Sequence, residues 1–179
     1  CWSSELPEMN SVNKTPTLYH IYPDERDPDS GRRYKAMFHT GDRQLAVSPD
    51  GMDWTMLESP PIPSQDESHF FFDETTSLYT LMHKLPTEWG RSVWMSKSPD
   101  FEDWSEPVLV LHTDEIDREN RRKRIDAVRA DHRYLAPPLF DSVDYIAELY
   151  QMAVMPYEGI YVGFPMLLNP SATVPPPYG

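Results

Sequence analysis

A repeat constrains this chain more than any other feature. Residues 34–54, YKAMFHTGDRQLAVSPDGMDW, and residues 79–104, YTLMHKLPTEWGRSVWMSKSPDFEDW, carry the same features in the same order: an aromatic-led apolar run, a loop, a second apolar run, Ser-Pro-Asp and a tryptophan. Ser48 and Ser98 stand 50 positions apart, as do Trp54 and Trp104, whereas Tyr34 and Tyr79 stand 45 apart; the first loop has grown by five residues in the second copy. The runs YKAMFH, RQLAVS and WTMLE, like LYTLMHK, RSVWMSK and EPVLVL, are short, apolar and bounded by turn residues, which predicts strands. In Ser48-Pro49-Asp50-Gly51 and Ser98-Pro99-Asp100-Phe101 the proline presets a turn dihedral and the aspartate can hold nearby backbone N–H groups, leaving Trp54 and Trp104 to pack over the hairpin. These are structural turns.

A degenerate third copy follows: residues 148–155, the turn Pro156-Tyr157-Glu158-Gly159, then residues 160–164. Four-stranded antiparallel units recurring every 40 to 50 residues or so predict an all-β fold of the propeller type. At about 45 residues per blade, the 179 residues hold about three blades, near 18–58, 66–112 and 145–179, in one partial domain spanning 1–179. The chain reads as a fragment of a longer one. Nineteen prolines against seven glycines favour many sharply bounded segments over long helices.

Composition narrows the partners. With 29 acidic and 16 basic residues the net charge is −13, which repels phosphate backbones and anionic lipid, so neither nucleic acid nor a membrane is expected. No apolar run nears the roughly 20 residues that span a bilayer, the opening CWSSELPEMN has no signal-peptide pattern, and nothing assigns a compartment. A single cysteine, Cys1, cannot close an internal disulfide. Nucleotide and serine-hydrolase motifs are missing. The six histidines show no HxH or HxxxH spacing, so no transition-metal site and no cofactor is expected, while a channel calcium or sodium ion, which needs only oxygens, stays open. Residues 114–133 hold six acids and seven bases, including Arg121-Arg122-Lys123-Arg124. The plain reading is a solvated helix or loop; the alternative is a lid that supplies arginines to an anionic substrate. Pro137-Pro138-Leu139-Phe140 reads as a connector.

The innermost strand of each blade lines a propeller's channel, so polar residues distant in sequence meet there. Asp66 lies just before His69-Phe70-Phe71-Phe72, and Glu148 heads the next such strand. Glycoside hydrolysis needs two such carboxylates, one to protonate the leaving oxygen and one to act as base or nucleophile. Tyr145, Ile146, Leu149 and Tyr150 give Glu148 an apolar neighbourhood of the kind a general acid uses. Arg91 can pair with a carboxylate or a substrate hydroxyl, Tyr150 and Tyr157 can stack on a sugar face, and His69 lies beside the proposed channel. Each also has a plain structural reading as a turn, strand-surface or packing residue.

The run Asp66-Glu67-Ser68-His69-Phe70-Phe71-Phe72-Asp73, then Tyr79, Gly90-Arg91-Ser92, Ser98-Pro99-Asp100-Phe101, Glu148-Leu149-Tyr150 and Ala153-Val154-Met155-Pro156-Tyr157-Glu158-Gly159, resembles the five-bladed β-propeller glycosidase-like proteins related to glycoside hydrolase families 32 and 43, closest to a bacterial branch grouped with the family 32 N-terminal region. The resemblance covers roughly residues 18–168. It implies an oligo- or polysaccharide substrate, a periplasmic or extracellular site of action, and three channel carboxylates, with Asp66 as transition-state stabiliser and Glu148 as general acid. It implies a first-blade acid before the first repeat, missing with the start of the chain or replaced. Asp24 and Asp27 read as surface-turn residues, and Arg26-Asp27-Pro28 has the letters of the family 32 stabiliser motif in the wrong place. The rival expectation is a binding or scaffold propeller that has lost the chemistry; a sialidase-like propeller ranks last, because the Ser-Pro-Asp turns lack its glycine spacing.

Overall fold

The computed structural model describes residues 18–38, 41–131 and 147–168. The chain is mostly β, in antiparallel sheets that follow chain order. Sheet I contains β1 (Leu18–Pro23), β2 (Tyr34–Phe38), β3 (Gln44–Ser48) and β4 (Thr55–Met56); sheet II contains β5 (His69–Asp73), β6 (Leu78–Thr87), β7 (Gly90–Ser98) and β8 (Val108–Leu111). Sheet III is the pair β9 (Glu148–Tyr157) and β10 (Ile160–Leu168). Two four-stranded meanders thus occupy the first two repeats. The connector 137–140, Tyr145, Ile146 and residues 169–179 lie outside the described residues.

The turn chemistry of the two copies is the same atom for atom. Ser48 Oγ accepts the N–H groups of Asp50 and Gly51 at 3.2 and 2.9 Å, and Asp50 Oδ1 accepts those of Met52 and Asp53 at 2.8 and 2.9 Å. Ser98 Oγ and Asp100 Oδ1 repeat the pattern on Asp100, Phe101, Glu102 and Asp103 at 3.3, 2.9, 2.9 and 2.8 Å. Position four has φ +79° at Gly51 and +74° at Phe101. A phenylalanine pays strain there, and its fully buried ring, in the core with Phe70 and Tyr79, offsets it. Ser98→Ala removes the acceptor for two N–H groups, one of them buried, and is expected to cost about 1–2 kcal/mol in chemical denaturation.

Three strand boundaries move. Of residues 54–58 only Thr55 and Met56 form a strand, and the Trp54 ring packs edge-on against Phe38 at 5.9 Å. Of residues 106–111, only Val108–Leu111 do. In sheet III, Tyr157 pairs with Ile160, so the loop is Glu158-Gly159 alone, with φ +48° and +82°, the primed turn that matches strand twist. The charged insertion is the chain's one described α-helix, α1 (Glu115–Ala130). The Asp114 carboxylate caps it by accepting the N–H groups of Ile116 (2.8 Å) and Asp117 (3.2 Å).

Strand alternation lets sheet II serve two neighbours. Tyr79 and Leu81 of β6, with Phe70 of β5, pack against Met37, Leu45 and Val47 of sheet I. Met82 of the same strand, with Val93, turns the other way onto Leu149 and Met152 of sheet III. Period-two patterning in one strand thus builds two cores.

One sequence expectation is overturned at the boundary between sheets I and II. Asp24 is no surface-turn residue: it is only 1% exposed. Its carboxylate takes the Lys35 ammonium at 2.8 Å, the Arg26 guanidinium at 2.8 Å and the Tyr79 hydroxyl. Lys35 also reaches Asp27 at 2.8 Å, so Asp27 belongs to the same network. Burial alone would push the Asp24 carboxyl up; the hydrogen bonds from Lys35, Tyr79 and Arg26 outweigh it and hold it at about 2. The sequence YPDERDPDSGRRYK reads as a turn because the partners that bury Asp24 include Tyr79, 55 residues away.

Candidate functional site

The segment that carries Asp66 has little freedom. Arg43, at the head of β3, pairs with Ile62 through two backbone hydrogen bonds of 2.7 and 2.9 Å. Its buried guanidinium donates to Ser68 Oγ (2.7 Å), to Gln65 O (2.6 Å) and to Asp66 O. His83 Nδ1–H donates to Pro63 O at 2.7 Å, so its Nε2 accepts from Ser96 Oγ at 3.2 Å. The Gln65 N–H donates to Lys84 O at 2.8 Å. Residues 62–68 are thus tied to sheets I and II at several points just before β5 begins.

Beyond this segment, five side chains converge. Asp66 pairs with the Lys84 ammonium of β6, whose side chain is 3% exposed. The same ammonium lies 4.1 Å from the centre of the Tyr150 ring of β9, a cation–π contact. The Tyr150 hydroxyl points at Asp66 Oδ2, 3.5 Å away. On the other flank, the Arg91 guanidinium of β7 lies 6.0 Å from the same ring. Arg91 also meets Glu148, through its backbone N–H to Oε1 (3.2 Å) and its Nε to Oε2 (3.8 Å). Asp66 and Glu148 are thus linked through Lys84, Tyr150 and Arg91, each acid with its own cation, and Glu148 stands two residues before Tyr150 on β9. Both acids are open to solvent, at 41% and 21% side-chain exposure.

The electrostatics of the site act on Asp66. Partial burial would raise the Asp66 carboxyl, but the Lys84 hydrogen bond and charge, with the Arg91 charge behind them, bring it below the ordinary carboxylate value. The Tyr150 phenol is pushed up, first by the Asp66 charge. Lys84→Met is expected to move the Asp66 pKa upward toward or past its ordinary value, read from the carboxyl carbon shift in an NMR titration; an unmoved pKa would show that Lys84 does not set it.

The other sequence candidates sit elsewhere. His69 Nε2 accepts the Val154 N–H at 3.1 Å, and burial lowers the ring's pKa, so His69 serves as a neutral strut between β5 and β9. Tyr157 ends β9, nine residues beyond Glu148 and so about 30 Å along the strand. Glu148 faces Arg91; of its expected apolar neighbours, Leu149 points into the core between sheets II and III. Sequence reasoning passed over Lys84 and Arg43. A lysine inside the apolar run Leu81-Met82-His83-Lys84-Leu85 was the available signal for the first. Among the described residues, no group of three or more His, Cys, Asp or Glu side chains is arranged to hold a metal ion.

Helix α1 borders the same rim. The Thr113 hydroxyl just before it donates to Ala147 O (2.6 Å), next to Glu148, and also lies 3.3 Å from Trp89 O. The Arg118 guanidinium lies over the Trp89 ring at 4.4 Å, two residues from Arg91. Comparison with family models, with curated proteins and with solved structures found no match for this chain. What the site does must be argued from its own groups.

Proposed function

We propose that the three sheets are successive blades of a five-bladed β-propeller and that the chain is a carbohydrate-active glycoside hydrolase. The observation that carries this reading is the chain of contacts that joins Asp66, just before β5, to Glu148, at the head of β9, through Lys84, Tyr150 and Arg91. Two four-stranded meanders in chain order, packed face to face, support the propeller. An aromatic ring linked to two carboxylates suits a sugar, whose C–H face stacks on the ring and whose hydroxyls donate to the acids. In this scheme Glu148 protonates the leaving oxygen. Asp66, kept anionic by Lys84, stabilises the positive charge that develops on the sugar ring. The third carboxylate such a scheme uses, as base or nucleophile, would precede the first repeat, and no residue of this chain is assigned to it.

The test is release of new reducing ends from a panel of oligo- and polysaccharides by the full chain. The double variant with Asp66→Asn and Glu148→Gln serves as the control. Hydrolysis by the wild type alone supports the reading, and equal release by both removes these two acids from it. A second reading, a carbohydrate-binding propeller without catalysis, draws on a specific feature: both acids already face a cation, Lys84 and Arg91. Sugar binding with no bond cleavage would favour it.

A further inference from the structure

We propose that the sugar recognised at this site is anionic, carrying a carboxylate or a sulfate ester that is held by Arg91 with Lys84 behind it. The inference rests on the carbohydrate reading above and deepens it. It starts from charge segregation. The chain carries a net charge of −13, yet Lys84 and Arg91 stand within 4.1 and 6.0 Å of one ring centre, and the neighbouring helix α1 holds six bases against four acids. Each of the two cations at the ring already faces an acid, Asp66 or Glu148, so the charge the site takes up depends on the donors they leave open.

The donors themselves are underused. Arg91 is 38% exposed, and its side chain meets Glu148 only through Nε, at 3.8 Å. Among the described residues its two terminal nitrogens have no acceptor, so its planar fork stands open beside Tyr150. That fork matches the paired oxygens of a carboxylate or a sulfate. The Lys84 ammonium is 97% buried, and apart from Asp66 it has no oxygen partner among the described residues, although it carries three N–H donors. Neutral hydroxyls could use Asp66 and Glu148 as acceptors, but they leave the Arg91 fork unfilled. When Glu148 carries the proton that the hydrolytic scheme requires of it, Arg91 loses its nearest counter-charge and keeps only the field of Asp66, so an anion on the substrate can take the vacated place.

The experiment is titration calorimetry on the full chain with matched pairs: oligogalacturonate of three to five units against its methyl ester, and a sulfated galactan oligosaccharide against its desulfated form. At least one anionic member is expected to bind about 10-fold more tightly than its neutral counterpart, with an advantage that shrinks as sodium chloride rises from 50 to 500 mM. R91Q is expected to erase the advantage and R91K to restore part of it, with melting temperatures checking that both variants fold. Which pair discriminates tells a carboxylate from a sulfate. Equal binding of neutral and anionic members, or a preference that survives R91Q, overturns the inference while leaving the carbohydrate reading intact. Binding of none of the four overturns the inference, and the reducing-end release from the wider saccharide panel then decides the carbohydrate reading separately.

Discussion

Asp24→Ala is expected to lower the unfolding free energy by about 3 kcal/mol, the lower end of the range for breaking a buried ion pair. The cost comes from what the carboxylate leaves behind. Lys35 has a fully buried side chain and keeps only Asp27 and the Arg32 carbonyl oxygen, while the Tyr79 hydroxyl loses its acceptor. Arg26, about a third exposed and also paired with Glu74, can turn to water, which keeps the loss from the upper end. Urea denaturation with an unchanged m-value is the measurement, and a loss below about 1 kcal/mol would mean that the network is solvated. The same carboxyl sets a pH dependence. Its folded pKa of about 2 lies below the ordinary 3.8, so its contribution, about 2–3 kcal/mol, is fully present above pH 5 or so and is lost as pH falls toward 2. The partly buried His20 and His69 and the buried His83 act at higher pH in the same direction. Burial lowers each pKa from 6.5, so the unfolded chain takes up protons first and stability declines as pH drops below about 6.5.

Under the proposed glycoside hydrolysis, Glu148→Gln is expected to reduce turnover of ordinary glycosides by about 10²–10⁴-fold in kcat, with little change in KM. The amide keeps the shape and can still accept the Arg91 N–H, but it has no proton to give. General-acid assistance matters most when the leaving group is a poor one. The loss should therefore shrink for aryl glycosides whose phenolate departs unaided, while Asp66→Asn, which removes charge stabilisation of the ring, slows both substrate types alike. Equal losses for both substrate classes in Glu148→Gln would take the proton-donor role away from Glu148. Asp66→Asn also leaves Lys84 buried without its counter-charge, so its melting temperature has to accompany its kinetics.

Asp66 and Glu148 were legible in the sequence because each lies at the leading end of a strand that the repeat identifies. The role of Lys84 was not legible. On paper it is one more residue of an apolar strand; it becomes the partner of Asp66 only because residues 62–68 fold back under Arg43 and His83 and lay Asp66 against β6. His69 looked like a channel residue from its position, yet its ring is taken by the backbone of β9. Tyr157 shared a strand with Glu148 and was set apart from it by the length of that strand.

The sequence by itself determined the local structure: the paired Ser-Pro-Asp turns, the order of the strands and the bounds of the charged insertion, which it left open between helix and loop. These depend on contacts within a few residues, where turn dihedrals, caps and period-two alternation act directly. Only the tertiary structure decided which charges are buried and which are paired. The Asp24 network, the Arg43 clasp and the Lys84–Tyr150–Arg91 array join residues 22 to 66 positions apart. The energy of a charge depends on how far it is removed from water and on what lies within a few ångströms of it, and neither is set until the sheets have packed.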